Sequence, residues 1–229
     1  DAKQPITGIG TSGTPTPPIS LSLRCSTQQE CQIALGEKII EISKAIQKEK
    51  FDETAISAQN AKVKQQTGVN NFQCLVLMVA YHESIGLNQC GRVERGVVVD
   101  SVRDRNPLYC NGNIDEVLKS GAAEEGSYGI MQINTKIYPN VNVADFETNV
   151  LTGANALLDE NDATSRLYSC YRQIDGNYVR VWYSGWTRSL RTYNGWNSPP
   201  CENTKNYVDQ VLSESNMNVV KNLFPECRD

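Results

Sequence analysis

Histidine is almost missing from this sequence. His82 is the one histidine among 229 residues, and no Cys-x-x-Cys pair occurs. The pair His82-Glu83 begins like a zinc-protease motif, but that motif needs a second histidine one helical turn later, where the chain has Gly86. Because neither zinc-binding spacing is present, we expect no metal ion, and we expect no other cofactor.

Basic clusters and long apolar runs are missing as well. No apolar stretch approaches the ~20 residues that a transmembrane helix needs. Lys and Arg number 22 against 26 Asp and Glu, and no block of basic residues occurs, so nucleic-acid binding has no electrostatic support. We expect a monomer with no nucleic-acid partner and no transmembrane segment. Because the sequence starts at Asp1, we also expect a processed or trimmed N-terminus.

Cysteine, by contrast, is present in an even number. The eight are Cys25, Cys31, Cys74, Cys90, Cys110, Cys170, Cys201 and Cys227. An even count without a metal-binding pattern favours disulfides and an oxidising compartment. We therefore expect a secreted, periplasmic or cell-surface protein.

The sequence alone leaves the disulfide pairing open, although we expect at least three bridges. Cys25–Cys31 and Cys90–Cys110 are favoured because each would close a local loop, and Cys170–Cys201 comes next. Cys74 and Cys227 then remain and could tie the C-terminal tail to the central helix. Cys74 could also be an inert buried thiol.

The N-terminal part predicts a linker followed by two helices. Residues 1–24 are rich in Gly, Thr, Ser and Pro, which predicts a flexible linker that could tether one domain at residues 25–229. Ser26 and Gln29 resemble a capping box, and a helix is predicted from there to about Lys50. A second helix is predicted from Asp52 to Gln66, ended by Gly68, so that residues 25–66 hold the N-terminal helices.

The most apolar stretch is NFQCLVLMVAYHESIGL, residues 71–87. We predict a helix here that is capped by Asn70. Its apolar stripe consists of Phe72, Leu75, Val76 and Val79, and Glu83 continues that stripe one turn later. Burial of such a carboxyl raises its pKa and favours the protonated form, which a general acid needs. A Glu that merely meets solvent at a helix end is the plainer interpretation.

The rest of the chain predicts more helices and one small hairpin, so we expect a mainly α, disulfide-stapled fold. Residues 88–126 are irregular apart from a short helical stretch at 114–119. Asp175-Gly176 could turn a hairpin whose second arm is residues 178–183. Further helices are predicted at residues 144–160, 186–193 and 203–215. Inward positions of the first and last of these are Val150, Ala154, Leu157 and Leu158, and Tyr207, Val208, Val211 and Leu212.

Three motifs, in this order, resemble the lysozyme-like fold of soluble lytic transglycosylases and goose-type lysozymes. They are an apolar helix ending in Glu83-Ser84, the run SYGIMQIN with Gly129-Ile130-Met131-Gln132, and a helix ending in Tyr193-Asn194-Gly195. The resemblance covers about residues 60–215 and implies a lysozyme-like fold with a transglycosylase core at residues 67–215.

The resemblance implies cleavage of the β-1,4 bond between N-acetylmuramic acid and N-acetylglucosamine, with peptidoglycan glycan strands as the partner. Glu83 would protonate the glycosidic oxygen and then accept the proton of the muramic C6 hydroxyl, which closes a 1,6-anhydro ring. The substrate's N-acetyl group can stabilise the positive charge at the sugar, so a second carboxylate is not required. Tyr193 would lie against Glu83 and fix its orientation. Substrate contacts are assigned by the same resemblance to Ser84, Tyr128, Gly129, Met131, Gln132, Asn134 and Asn194.

Two departures from the family leave other functions open. The interval between Glu83 and Gln132 is longer than is usual, and an insertion at about residues 88–123 fills it. Goose-type lysozymes carry Asp at the position of Asn134, and an amide cannot act as a base.

A hydrolase would need a second carboxylate, for which Glu124 and Glu125 are the candidates. A goose-type lysozyme that uses Glu83 with one of these residues is therefore one alternative. A non-catalytic glycan-binding module is another. The retained Glu83 argues against that module, because nothing in the fold requires a semi-buried acid at this position.

Overall fold

The structure, a computed structural model, describes residues 27–87, 127–143, 145–162, 168–174, 176–194 and 207–228. These residues are mainly helical, as predicted, with two small antiparallel sheets. The helices are α1 (Gln28–Lys50), α2 (Glu53–Thr67), α3 (Phe72–Glu83), α4 (Phe146–Asp162), α5 (Gly185–Tyr193), α6 (Tyr207–Val211) and α7 (Glu214–Leu223), followed by a 3₁₀ turn at Pro225–Cys227. The strands pair as β1 (Ser127–Tyr128) with β2 (Ile133–Asn134), and as β3 (Tyr168–Ile174) with β4 (Asn177–Tyr183).

Some predictions fall on residues outside these ranges and stay predictions. They concern the linker at 1–24, the insertion at 88–123 with its helix at 114–119, the candidate carboxylates Glu124 and Glu125, the start of the last helix near Asn203, and the pairs Cys25–Cys31, Cys90–Cys110 and Cys170–Cys201.

Helix α3 lies at the centre of the core. Every residue from Phe72 to Ala80 is buried, including Gln73, so the prediction of a single apolar stripe understated the burial. The reason is that α1, α2, α4, α6 and α7 all pack against this one helix. Phe72 also contacts Trp186 of α5, with ring centroids 5.5 Å apart. A helix enclosed in this way has little freedom to shift, so whatever stands at its end is held firmly.

The N-terminal caps differ from two of the predictions. Asn71, not Asn70, caps α3, because its side chain accepts a hydrogen bond from the backbone N–H of Cys74 at 2.9 Å. Asn70 instead donates to the carbonyl of Arg228. Thr27, not Ser26, caps α1 through the backbone N–H of Glu30. The predicted end of α1 at Lys50 is confirmed, as is Gly68 as the left-handed residue that ends α2.

A disulfide joins Cys74 in α3 to Cys227 in the 3₁₀ turn, as the sequence suggested it could. The bridge spans 153 positions of sequence and fastens the segment after α7 to the central helix. Nearby, the ring of Phe224 fills the space above Gly36 of α1, where a Cβ atom would lie 2.1 Å from the ring. Cys31 and Cys170 are also disulfide-bonded, so none of the four described cysteines is a free thiol. Disulfides are consistent with an oxidising compartment.

The predicted helix at residues 203–215 is wrong in its second half. The helix α6 ends at Val211, and Ser213 then caps the separate helix α7 by accepting from the backbone N–H of Asn216. A serine followed by Glu214 is a helix start, and that signal competes with continuation of the preceding helix. The helix α7 was not predicted at all.

The hairpin β3–β4 was predicted correctly from its turn. Ile174 pairs with Asn177, and Gly176 has a φ of 81°, a left-handed conformation that favours glycine. The helices α4 and α5 lie close to their predicted positions, at Phe146–Asp162 and Gly185–Tyr193. None of the helices within the described ranges combines the length and apolar character needed to cross a membrane.

Candidate active site

Glu83 is the last residue of α3 and is partly exposed, whereas Ser84 beside it is buried. The chain then turns sharply through three residues with left-handed backbone, Ile85, Gly86 and Leu87, whose φ angles are 54°, 90° and 57°. The backbone N–H of Gly86 donates to the carbonyl of Tyr81 at 2.8 Å, which closes the helix end. A β-branched residue such as Ile85 rarely adopts this conformation, so the turn holds backbone strain directly beside Glu83.

The hydroxyl of Tyr207 donates a hydrogen bond to Oε1 of Glu83 at 2.5 Å. Tyr207 begins α6 and is only 3% exposed, so this donor reaches Glu83 from inside the protein. Its ring also meets the ring of His82 edge to face, with centroids 5.3 Å apart. Among the described residues, Tyr207 is therefore a partner that orients the carboxyl, and the sequence had predicted it only as an inward residue of the last helix.

The second motif forms a tight turn between β1 and β2. The backbone N–H and the side-chain Nε2 of Gln132 both donate to the carbonyl of Gly129, at 3.1 and 2.9 Å. Gly129 has a φ of 75°, and a Cβ there would lie 2.3 Å from the side chain of Asn149. Asn149 in turn accepts from the backbone N–H of Met131 at 2.8 Å and donates to the carbonyl of Val143. Glycine is required at position 129 because the buried Asn149 holds the turn from below.

Tyr193 differs from the expectation that it would orient Glu83 directly. Its hydroxyl donates to the backbone carbonyl of Met131, next to Gln132. Gly153 of α4 makes this possible, because a Cβ there would lie 2.9 Å from the Tyr193 hydroxyl and 2.6 Å from the end of the Met131 side chain. Tyr193 thus fastens the turn of the second motif, while Tyr207 holds the carboxyl.

The pKa values of Tyr193 and Tyr207 are both raised by burial and by the charge of Glu83, so both hydroxyls lie near this carboxyl. Burial and then the negative charge of Glu83 raise the pKa of Tyr207 well above its usual value, with smaller contributions from Tyr193 and from the hydrogen bond to Glu83. Burial raises the pKa of Tyr193 in the same way, followed by the charges of Glu83 and Tyr138. Both phenols therefore stay protonated through neutral and alkaline pH, and Tyr207 stays a hydrogen-bond donor to Glu83.

Two of the other predicted substrate contacts use their side chains within the protein, and a third lies at a helix end. The hydroxyl of Ser84 donates to the carbonyl of Ala80 at 2.6 Å, which closes the helix end. Asn134 accepts from the backbone N–H of Lys136 at 2.9 Å, and its amide contacts Ser127. Asn194 follows α5 as its C-cap.

Tyr128, another predicted contact, pairs through its backbone with Ile133. Of the predicted substrate residues, Gln132 has the most telling environment. It is 9% exposed, its φ of 48° is in the left-handed region, and its Oε1 has no hydrogen-bond donor among the described residues. A buried acceptor without a partner is costly, and such costs are found where a ligand or a water completes the site. Gln132 therefore has a strained backbone and an Oε1 acceptor without a described donor, next to Met131, which accepts from Tyr193.

No group of three or more His, Cys, Asp or Glu side chains is placed to hold a metal ion in the part of the chain that the structure describes. Comparisons with protein-family models, with curated proteins and with solved structures found no match to this chain.

Three residues of the site were missed as such by sequence reasoning. The inward position of Tyr207 was predicted, but its partner Glu83 is 124 positions away, and spacing within one helix carries no information on that distance. Asn149 and Gly153 lie in a predicted helix. The available signal was that Asn149 and Gly153, a polar residue and a glycine, lie on the inner side of a helix. Such residues are unusual there unless a tertiary contact requires them.

Proposed function

We propose that this protein is a peptidoglycan-cleaving glycosidase that acts on the bond between N-acetylmuramic acid and N-acetylglucosamine, as a lytic transglycosylase. The observation that carries the proposal is the setting of Glu83. This carboxyl ends an enclosed helix, accepts a hydrogen bond from Tyr207, and is the one whose charge acts on both Tyr207 and Tyr193. Tyr193, on which the charge of Glu83 acts, donates to Met131 beside Gln132, so one tyrosine lies near both the carboxyl and the turn.

The chemistry needs one group that first gives and then takes a proton. Glu83 protonates the glycosidic oxygen, and the bond from that oxygen to the anomeric carbon breaks. The resulting carboxylate accepts the proton of the muramic C6 hydroxyl as this oxygen bonds to the anomeric carbon, so the proton balance closes on Glu83. Tyr207 remains a neutral donor throughout and stabilises the carboxylate between the two steps.

The substrate's N-acetyl group stabilises the positive charge at the anomeric carbon, which is why a single protein carboxylate suffices. Asn134, at the position where a goose-type lysozyme has Asp, uses its side chain on Lys136 and Ser127. Because this amide cannot act as the base that a hydrolase needs, its presence favours the transglycosylase over the hydrolase. The disulfides agree with action outside the reducing cytosol, in a secreted, periplasmic or cell-surface setting.

Mass spectrometry of digested peptidoglycan tests the proposal directly. We expect muropeptides that end in 1,6-anhydro-muramic acid, which are lighter by one water than the reducing products of a hydrolase. Reducing products would assign the protein to the lysozyme-type alternative. A digest with no new products, under conditions where the protein is folded, would leave only the glycan-binding alternative.

A further inference from the structure

The hairpin β3–β4 exposes an unusual amount of aromatic surface. Six large hydrophobic residues are exposed in the described parts of the chain, and four of them lie on this hairpin: Tyr171, Tyr178, Val179 and Trp182. Exposed apolar residues are ordinarily scattered, and their concentration in one place marks an interaction site.

The strand register divides the two faces of this hairpin. Tyr171 pairs with Arg180, and Trp182 with Ser169, so these side chains and that of Tyr178 lie on one side of the sheet. The opposite side carries Cys170 and Tyr183, which are buried in the core. We call Tyr171, Tyr178, Arg180 and Trp182 the aromatic face.

Arg180 is fixed in the middle of the aromatic face. Its guanidinium carbon lies 4.4 Å from the centroid of the Trp182 ring, and its Nε donates to the hydroxyl of Ser169 at 2.9 Å. Tyr178 and Trp182 stand on either side of Arg180 along β4, about 13 Å apart by the strand rise. The face therefore presents three flat rings around a cation that is held in place, and its described side chains include no carboxylate.

We infer that the aromatic face binds a peptidoglycan glycan strand outside the candidate active site. Pyranose rings have flat C–H faces that pack on aromatic rings, and a planar guanidinium matches the carboxylates that the polymer carries. The chain as a whole has a net charge of −4, so a local cation provides the charge complementarity that the rest of the surface lacks. A single cation among aromatic rings is a poor match for an anionic lipid surface, which favours clusters of Lys and Arg.

The location of the aromatic face suits a polymer. The strand β4 leads through Ser184 into α5, and the other end of α5 is Tyr193. A helix of nine residues is about 13 Å long, so roughly one helix length separates the Trp182 end of the face from Tyr193. A long strand can contact both places, whereas a short soluble oligosaccharide bound at Glu83 does not need the hairpin. The inference rests on the proposed function for its ligand, but its test is a binding measurement.

The test uses the full chain with Glu83→Gln, so that the polymer is not consumed. Co-sedimentation with insoluble peptidoglycan gives a Kd for this parent, for the same chain with Tyr178→Thr and Trp182→Thr, and for the same chain with Val179→Thr. Threonine retains β propensity in each case, and Val179 is exposed on the opposite side of the same strand. We expect the aromatic double variant to bind at least about tenfold more weakly, and the Val179 control to bind within about twofold of the parent.

Equal binding by the double variant, or an equal loss in the Val179 control, would overturn the inference. So would loss of binding to phosphatidylglycerol vesicles with unchanged binding to peptidoglycan, because the occupant would then be a membrane. In the active chain, the same double variant should release fewer products from the insoluble polymer while retaining activity on short soluble glycans. If the unmodified protein forms no products at all, the proposed function fails, yet the binding comparison still decides the role of the face.

Discussion

At its N-terminal end α3 is capped by Asn71, packed against Trp186 and bridged through Cys74 to Cys227, whereas at its C-terminal end it carries Glu83 and a strained turn. Every feature at the first end stabilises the folded state relative to the unfolded state. The features at the second end do the opposite, since a carboxylate at the negative end of the helix dipole and left-handed Ile85 both cost stability. The difference agrees with the proposed function, in which the first end provides stability and the second carries the catalytic carboxyl.

The largest expected effect is on activity at the functional end. Glu83→Gln should abolish glycan cleavage, a loss of about 10²–10⁴-fold or more, because the amide retains the volume but cannot give or take up a proton. Binding and stability should stay nearly intact, and the melting temperature could rise slightly. Product release from peptidoglycan, together with thermal unfolding, measures both.

Exposed Glu37→Gln in α1 is a matched control that should retain full activity. Under the transglycosylase proposal Glu124→Gln and Glu125→Gln should lose less than Glu83→Gln. A folded variant of either that is as inactive as Glu83→Gln would identify a second catalytic carboxylate and a hydrolase. Wild-type activity in Glu83→Gln would refute the site.

The second effect concerns the stable end. Cys74→Ser with Cys227→Ser should lower the free energy of unfolding by about 2–5 kcal/mol, because the bridge closes a long loop in the unfolded chain. Denaturant unfolding of the oxidised protein measures this change. Activity per folded molecule should remain, since Cys74 lies about 13 Å along α3 from Glu83. Inactive but fully folded protein would contradict the separation of the two ends.

The third effect tests which tyrosine serves Glu83. Tyr207→Phe removes the donor to the carboxylate, and we expect a loss of about 10–100-fold in kcat, the range for a hydrogen bond to a charged group. The alkaline limb of the pH–rate profile, where Glu83 loses the proton that it must donate, should move to higher pH, because the lost donor stabilised the ionised form of the acid. Tyr193→Phe, which removes the hydrogen bond to Met131 and none to Glu83, is the matched control and should lose less. A larger loss of kcat in Tyr193→Phe than in Tyr207→Phe would mean that Tyr193 is the residue that orients Glu83.

Tyr207 also makes a prediction about alkaline stability. The pKa of Tyr207 is raised well above 10.0 in the folded protein, so above pH 10 the folded state retains a proton that the unfolded state loses. Its contribution to stability is therefore complete below pH 10 and falls as the pH rises, by about 1.4 kcal/mol per pH unit. Urea unfolding between about pH 9 and pH 11 should show this decline in the unmodified protein and a shallower one in Tyr207→Phe. Equal slopes would mean that Tyr207 titrates normally.

The smallest effects should have opposite signs at the two ends of α3. Asn71→Ala removes a cap and should cost about 1 kcal/mol of unfolding free energy. Ile85→Gly places glycine where the backbone is left-handed and should increase the same free energy by about 1 kcal/mol. Chemical denaturation of the pair measures both changes. Destabilisation by Ile85→Gly would show that the turn is not strained.

The sequence predicted local features of this fold better than contacts between distant elements. Lys50, Gly68 and the turn at Gly176 were placed correctly, because propensity, left-handed backbone and turn chemistry act over a few residues. The choice between Asn70 and Asn71 as the cap of α3 depends on where the first helical turn closes, which two adjacent asparagines leave undecided. The break at Ser213 was missed because the apolar spacing of α6 could have continued for another turn.

The sequence predicted the carboxyl of the candidate site, Glu83, but not Tyr207, the residue that donates a hydrogen bond to it. Apolar spacing located Glu83 at the end of a buried helix, and the resemblance added Gln132 and Tyr193. The contact of Tyr207 with Glu83 depends on how α6 packs against α3, and no local pattern encodes that packing. The support of the Gly129 turn by Asn149 is a tertiary contact of the same kind.

The insertion of Phe224 above Gly36 has a consequence for how the protein is made. The space above Gly36 in α1 is filled by the ring of Phe224, near the other end of the described chain. Cys74 likewise forms its disulfide only with Cys227. A nascent chain still held by the ribosome before residue 224 therefore has an open core and an unpaired thiol in its central helix. Contacts so distant in sequence close slowly, since loop-closure entropy must be overcome first. Completion of this core thus requires that synthesis has passed Cys227, in a compartment that supplies the oxidant for Cys74 and Cys227.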